Sequence, residues 1–226
     1  MGDLRGRLIV FDLDGTLVDS RRDLADSANA LIGELGGRPL DEEAVGRMVG
    51  EGAALLVSRA LTAAGIPEAA NGRALARFLQ IYEGRLLRHT RPYSGIEDAV
   101  AAARRLGRVA VLTNKPARPT EAVLAGLGLR AMFDDVIGGD GAWPRKPDPS
   151  SLRALMARAG AEPARTLLVG DSRVDFDTAG HAGARCCMAA YGFGFLTFPE
   201  ERIDAIEWLV RTPAELIDVF ARFSAG

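Results

Sequence analysis

The chain has 226 residues, of which 48% are hydrophobic and 26% are charged, an ordinary composition for a globular protein. This length favours one medium-sized domain with an insertion or with a small second domain. The formal net charge of −2 excludes a general positive field that recruits nucleic acid or an anionic membrane, so we expect neither as a partner.

We also expect no signal for export. No apolar run approaches the roughly 18 residues of a membrane span, and the run that begins at Leu8 is interrupted by Asp12, too early for a signal peptide. Cys186 and Cys187 are adjacent and therefore unsuited to pairing with each other. We expect a cytoplasmic protein.

Short apolar runs alternate with helical patterns over most of the chain. The first run, Leu8–Phe11, is typical of a strand that is buried on both faces. Such alternation predicts an α/β fold with a doubly wound parallel, Rossmann-like sheet, whose strands end at a common edge. Further strands are predicted at 109–112, 136–137, 166–169 and about 186–190, and helices at 96–106, 120–127, 150–159 and 174–182.

Residues 20–90 break this alternation. They contain helical patterns separated by glycine-containing breaks, and no evident strand. We interpret them as an all-helical domain inserted into a core formed by residues 1–19 and 91–226. The predicted helices of the insertion are 23–35, 41–48, 53–64 and 69–89.

Two carboxylates follow the first predicted strand. Asp12 and Asp14 are two residues apart, so they point to the same side of an extended chain. They repel each other unless a cation or a proton lies between them. A divalent metal would relieve that repulsion and leave one carboxylate free to attack an electrophile, whereas the alternative is a solvated acidic turn.

Three later strand ends also carry polar residues. Thr113 and Asn114 can donate to phosphate oxygens, although such a pair also begins ordinary turns. Lys146 precedes a proline and offers a compact charge at a fixed place. Asp171 and Asp175 are four residues apart and meet on one helical face, unless Asp171 merely caps the helix and Asp175 is a surface residue.

The predicted sheet brings these four segments to one edge. Together they provide a metal-and-phosphate site with a carboxylate nucleophile. Of the 28 basic residues only Lys115 and Lys146 are lysines, which marks both positions for a role that arginine fills badly.

These motifs resemble those of the haloacid dehalogenase superfamily, and specifically of its aspartate-nucleophile phosphatases. The resemblance rests on DLDGT at 12–16, Thr113, Lys146 before a proline, and GDSRVD at 170–175. The sequences VLTNKP at 111–116, VIGGD at 136–140 and RKPDP at 145–149 resemble the phosphoglycolate phosphatase branch. Residues 20–90 resemble the cap domain of that family, and 49–53 its substrate loop.

The resemblance implies a role for each matching residue. Asp12 attacks phosphorus and forms an aspartyl-phosphate, and Asp14 is the general acid and base. Thr113, Asn114 and Lys146 hold the phosphoryl oxygens. Magnesium is held by Asp12, the backbone carbonyl of Asp14 and Asp171, with Asp175 in support.

The implied activity is magnesium-dependent hydrolysis of a small phosphorylated metabolite, with 2-phosphoglycolate favoured. Arg47 and the loop of Gly50 and Gly52 are candidates to meet a substrate carboxylate, the alternative for Arg47 being a solvated helix residue. Other substrates remain open, namely a sugar phosphate, a nucleotide or pyrophosphate, and so does a non-enzymatic phosphoacceptor or metal-binding module. A monomer and a homodimer are both compatible with the sequence.

Overall fold

The computed structural model describes residues 6–67 and 71–225. Within these residues, strands and helices alternate in most of the chain. The strands are β1 (Leu8–Phe11), β2 (Val18–Asp19), β3 (Arg91–Pro92), β4 (Arg108–Leu112), β5 (Asp135–Ile137), β6 (Thr166–Gly170), β7 (Arg185–Ala189) and β8 (Trp208–Val210). The helices are α1 (Arg21–Glu34), α2 (Glu42–Gly46), α3 (Ala53–Ala63), α4 (Asn71–Glu83), α5 (Ile96–Arg104), α6 (Ala117–Gly126), α7 (Ser150–Ala159), α8 (Arg173–Ala182) and α9 (Leu216–Ala225).

Six strands form one parallel sheet in the order β5-β4-β1-β6-β7-β8. In the central strand β1, Ile9 and Phe11 pack into the apolar core on one face, and Leu8 and Val10 into the core on the other. Since both faces are covered, β1 has no polar position, which explains its continuous apolar run. The predicted doubly wound parallel sheet is confirmed.

The chain between β2 and β3 is helical. Helix α1 packs against α2, α3 and α4, and α3 packs against α4. Helix α4 ends at Glu83, before a glycine, so the prediction that it continues to His89 is wrong. The predicted start of this helix at residue 69 lies outside the described residues. None of the helices described is long and apolar enough to span a membrane.

A small antiparallel ladder joins the two ends of this helical segment. Val18 of β2 lies opposite Pro92 of β3, and Asp19 opposite Arg91. The sequence did not predict this ladder, because two residues per strand are too few to carry a periodic pattern.

Asp23 reinforces the same junction from the first turn of α1. Its buried carboxylate accepts hydrogen bonds from the backbone N–H groups of His89 and Thr90, at 2.8–3.0 Å, and from Thr90 Oγ1 at 2.7 Å. We expect Asp23→Ala to lower the free energy of unfolding by about 2–4 kcal/mol, because it leaves these buried donors unpaired. Urea denaturation measures the loss. Asp26→Ala, on the half-exposed side of the same helix, is the matched control and should cost less than about 0.5 kcal/mol.

Candidate active site

The register of the central strands brings the predicted site segments together. Phe11 of β1 pairs with Val111 of β4 on one side and with Val169 of β6 on the other. Because the three strands run in the same direction, the residues after them leave the sheet at neighbouring places on one edge. Asp12 therefore lies between the loop that follows β4 and the loop that follows β6.

Asp12, Asp171 and Asp175 form a buried carboxylate cluster, in which one oxygen from each residue lies within 4.8 Å of the others. Lys146 Nζ donates a hydrogen bond of 2.5 Å to Asp175 Oδ1. It also lies 3.0 Å from Asp12 Oδ1, but off the hydrogen-bonding direction, so this Asp12 oxygen has no hydrogen-bond partner among the described residues. Three carboxylates and one ammonium leave two negative charges uncompensated.

The pKa values of the groups in the cluster are shifted in the direction that an excess of buried negative charge produces. Burial raises the pKa of Asp12 to about 6, against the opposing effect of Lys146. Burial, together with the charges of Asp12 and Asp175, holds the pKa of Asp171 well above its ordinary value. Burial disfavours the charge of Lys146, but Asp12 and Asp175 outweigh it and raise the pKa of its ammonium.

These residues fit a divalent cation. Such an ion would balance the two excess charges and give the unpartnered Asp12 oxygen a ligand position. Three carboxylates are hard oxygen donors of the kind that magnesium, calcium and manganese prefer.

Backbone geometry orients the other two carboxylates of the cluster. Ser172 is the N-cap of α8, and Asp175 accepts from its backbone N–H at 3.1 Å as part of a capping box. Asp175 also accepts from the Ser172 hydroxyl at 2.7 Å. Asp171 instead accepts from the N–H of Gly194 at 2.7 Å. Asp171 precedes the helix, so the prediction that it shares a helical face with Asp175 is wrong. The alternative of a capping Asp171 and a surface Asp175 is wrong as well, because Asp175 is fully buried.

Two glycines allow the backbone to approach Asp171. Gly15 has φ +85°, and a Cβ there would lie 1.8 Å from Asp171 Oδ2. A Cβ at Gly192 would lie 2.2 Å from the carbonyl oxygen of Gly15 and 2.5 Å from Asp171 Oδ2. No motif in the sequence assigns a function to the loop of Gly192 and Gly194.

Asp14 has a different set of partners. Lys115 Nζ donates to its two carboxylate oxygens at 3.0 and 3.1 Å, and Ser20 Oγ donates to Oδ1 at 2.6 Å. Lys115 also donates to the hydroxyl of Tyr82, on α4, at 2.5 Å. Burial works against the charge of Lys115, yet Asp14 and Tyr82 together raise the pKa of its ammonium. The rarity of lysine marked Lys115 in the sequence, but no pattern pointed to Ser20 or Tyr82.

A cavity of about 40 Å³ lies between this strand edge and the helical segment. Thr113 and Asn114 line it from the loop after β4, and Gly50 and Gly52 from the loop before α3. Asn114 Nδ2 donates to the carbonyl oxygens of Gly50 at 3.0 Å and Lys146 at 2.9 Å. Both amide hydrogens of Asn114 are therefore occupied in tying two loops together. The lining is completed by Asp12, Asp14, Leu24, Val49, Ala53, Leu56, Phe78, Leu79, Tyr82, Lys115, Pro116 and Pro119.

The structure does not bring Arg47 to this cavity. Its guanidinium pairs with Glu43 at 2.5 Å, and nearly half of the Arg47 side chain is exposed to solvent. This arrangement agrees with the alternative of a solvated helix residue.

Known proteins with similar sequences and structures identify the family of this chain. A sequence model of haloacid dehalogenase-like hydrolases matches residues 7–183. A phosphoglycolate phosphatase of Rhodospirillum rubrum is 45% identical over 83% of this chain and 80% of the relative, and one of Pseudomonas putida is 41% identical over 83% of this chain and 70% of the relative. A solved structure, described as a predicted phosphoglycolate phosphatase from Haemophilus somnus, superimposes with a TM-score of 0.89 at 28% identity and covers 97% of this chain and 100% of that one. The chain belongs to the haloacid dehalogenase-like hydrolase family.

Proposed function

We propose that this protein is a magnesium-dependent phosphomonoester hydrolase that converts 2-phosphoglycolate to glycolate and phosphate through an aspartyl-phosphate. The observation that carries the proposal is the buried Asp12 carboxylate, which faces a small cavity within a cluster that has two uncompensated negative charges. A carboxylate of this kind can hold a dication through one oxygen and attack phosphorus through the other.

In the proposed reaction, an oxygen of Asp12 forms a bond to phosphorus while the bond from phosphorus to the alcohol oxygen breaks. Asp14 gives its proton to that departing oxygen. Water then attacks phosphorus, loses a proton to Asp14, and releases phosphate and the Asp12 carboxylate. Thr113 and Lys146 hold the phosphoryl oxygens, while Asn114 keeps their loops in place.

Magnesium would be held by Asp12, Asp171 and the backbone carbonyl of Asp14, with Asp175 in support. When bound, it supplies positive charge that stabilises the negative charge of the phosphoryl group. The two excess negative charges of the cluster support a dication over a monovalent ion.

We assign residues 20–90 to a cap domain and residues 1–19 and 91–226 to the core. The β2–β3 ladder and Asp23 support a junction between the two at these places. The cap would exclude bulk water from the cavity, with Gly50 and Gly52 beside the substrate. We keep the cytoplasm as the proposed location, and a monomer or homodimer as the proposed assembly.

The names of the relatives support the substrate. The relatives from Rhodospirillum rubrum and Pseudomonas putida are both named phosphoglycolate phosphatase.

A substrate panel tests the proposal. Phosphate release is measured for 2-phosphoglycolate, a hexose phosphate, a nucleoside monophosphate and pyrophosphate, with magnesium and again with excess chelator. We expect 2-phosphoglycolate to have the highest kcat/KM and the chelator to abolish turnover. A higher value for another member of the panel would replace the substrate, and no turnover of any member would overturn the phosphatase itself.

Metal binding is expected to strengthen as the pH rises. The pKa of Asp12 is raised to about 6 and that of Asp171 lies well above its ordinary value, both mainly by burial, so a cation must displace protons from these groups. We expect the apparent affinity for magnesium to increase at least about tenfold between pH 5 and pH 7. Calorimetric titration in two buffers of different ionisation enthalpy measures the affinity and the protons released. An affinity that does not change between pH 5 and pH 7 would contradict the assignment of Asp12 and Asp171 as metal ligands.

Asp12 also makes the free energy of unfolding of the metal-free protein depend on pH. Between the ordinary pKa of an aspartate and about 6, folded Asp12 keeps a proton that the unfolded chain releases. The contribution of Asp12 to the free energy of unfolding therefore falls as the pH rises through this window. Added magnesium should reverse the loss above pH 6, as a rise in Tm.

A further inference from the structure

Lys115 contributes the positive charge in the lining of the cavity. Its side chain is almost fully buried, and it is the one cation among the described residues that form the lining. Around it the lining is largely apolar, with Leu24, Leu56, Phe78 and Leu79 on the side of the helical segment. A second anionic group on a bound substrate would be costly to bury here unless it paired with Lys115.

Three arginines of the helical segment and its surroundings have partners of their own. Arg47 pairs with Glu43, and Arg59 with Glu51 at 2.5 Å. Arg145, near Gly52, donates to the carbonyl oxygen of Gly139 at 2.8 Å and is exposed. None of these three arginines is part of the cavity lining.

Lys115 can gain a ligand without losing either of its present partner residues. Two of its contacts reach the two oxygens of the same Asp14 carboxylate, so one of them is redundant. Tyr82 Oη accepts the third contact from Lys115 Nζ, which leaves the hydroxyl hydrogen of Tyr82 with no acceptor among the described residues. Burial raises the pKa of Tyr82 to about 12, so this hydroxyl remains a donor at neutral pH.

The distance between Asp14 and Lys115 shows that both ends of the substrate can bind at the same time. In the proposed reaction Asp14 meets the oxygen that bridges phosphorus and the alcohol, and Lys115 Nζ lies 3.0 Å from Asp14. In 2-phosphoglycolate one carbon separates that bridging oxygen from the carboxylate. A substrate with its bridging oxygen at Asp14 therefore has its carboxylate within reach of Lys115 and Tyr82.

We propose that Lys115 and Tyr82 together bind the carboxylate of the substrate and make the enzyme selective for small phosphorylated acids. This inference rests on the proposed function, because it needs a phosphomonoester bound with its bridging oxygen at Asp14. The substrate carboxylate would then lie between the loop after β4 and helix α4, and not at Arg47.

The test compares two substrates of the same shape, 2-phosphoglycolate and its neutral amide. The wild-type enzyme should prefer the acid. In Lys115→Met the ratio of kcat/KM for the acid to that for the amide should fall about 10- to 100-fold, the effect of losing a charge-assisted hydrogen bond. In Tyr82→Phe, which keeps the ring, the same ratio should fall about three- to tenfold. Using the ratio removes any loss that is common to both substrates, such as a displaced Asp14.

Two further variants complete the design. Tyr93→Phe is the matched control for Tyr82→Phe, because the Tyr93 hydroxyl is buried outside the cavity lining, and its ratio should stay at the wild-type value. Arg47→Met tests the rival site on the helical segment, and a ratio that falls there but not in Lys115→Met overturns the inference.

The remaining outcomes also decide the question. An unchanged ratio in both Lys115→Met and Tyr82→Phe overturns the inference, and Tyr82→Phe decides alone if Lys115→Met does not fold. A wild-type enzyme that hydrolyses acid and amide equally well overturns it too. A wild-type enzyme that hydrolyses neither ester overturns the proposed function instead, so the two failures are distinguishable.

Discussion

Asp12→Asn is expected to lower kcat by at least about 10⁴-fold while the chain stays folded. The replacement has the same shape, but its neutral amide cannot form the ester with phosphorus that the carboxylate forms. It also removes one of the two uncompensated negative charges of the cluster, and the burial that raises the pKa of Asp12 to about 6 shows that this charge is disfavoured. The metal-free variant should therefore melt no lower than the wild-type protein.

A second readout separates the nucleophile from a mere metal ligand. Acid quenching during turnover of ³²P-labelled substrate should leave label on the wild-type protein and none on Asp12→Asn. Asp148→Asn is the matched control, because its side chain can still accept from the N–H of Ser150, and its kcat should stay within about twofold of wild type. Mass spectrometry checks that the introduced asparagine has not deamidated back to aspartate. Label on the variant, or a kcat within tenfold of wild type, would refute the role of Asp12.

The parallel core could be predicted because its strands carry their own signal. Leu8–Phe11 is apolar at every position because both faces of β1 are covered, and Asp12 then marks the end of the strand. Since parallel strands end at one edge, the sequence positions of Thr113, Lys146 and Asp171 were enough to predict that they meet. The length of α4 was overestimated, because an amphipathic pattern continues beyond Glu83 although the helix does not.

The side-chain partners within the site could not be predicted in the same way. Lys115 contacts Asp14, which lies 101 positions away in the sequence, and Tyr82, which lies 33 positions away. No local pattern encodes pairs that are so far apart. The same holds for the approach of Gly192 to Gly15, which depends on how two loops pack rather than on either sequence alone. Asn114 was expected to donate to phosphate, but a sequence does not show that Gly50 and Lys146 already occupy its amide.

Asp14→Asn is the second variant with a large expected effect, and the effect should depend on the leaving group. An asparagine cannot give a proton to the departing oxygen, so kcat/KM for 2-phosphoglycolate should fall about 10²- to 10⁴-fold. An aryl phosphate such as p-nitrophenyl phosphate releases a stable phenolate that needs little protonation, so its kcat/KM should fall much less. Steady-state kinetics on both substrates give the two losses directly.

The Asp14→Asn variant needs a control for a shift in the position of residue 14. The substitution also leaves the buried Lys115 without its charged partner. Ser20→Ala removes the hydrogen bond to Asp14 Oδ1 and keeps the carboxylate, so it tests position without removing the acid. If Asp14 is the acid, Ser20→Ala should lower the activity on both substrates by a similar, smaller factor, whereas Asp14→Asn should separate them. Equal losses on the alkyl and aryl substrates in Asp14→Asn would mean that Asp14 acts only through Lys115 and the shape of the cavity, and the proton would then have to come from another group.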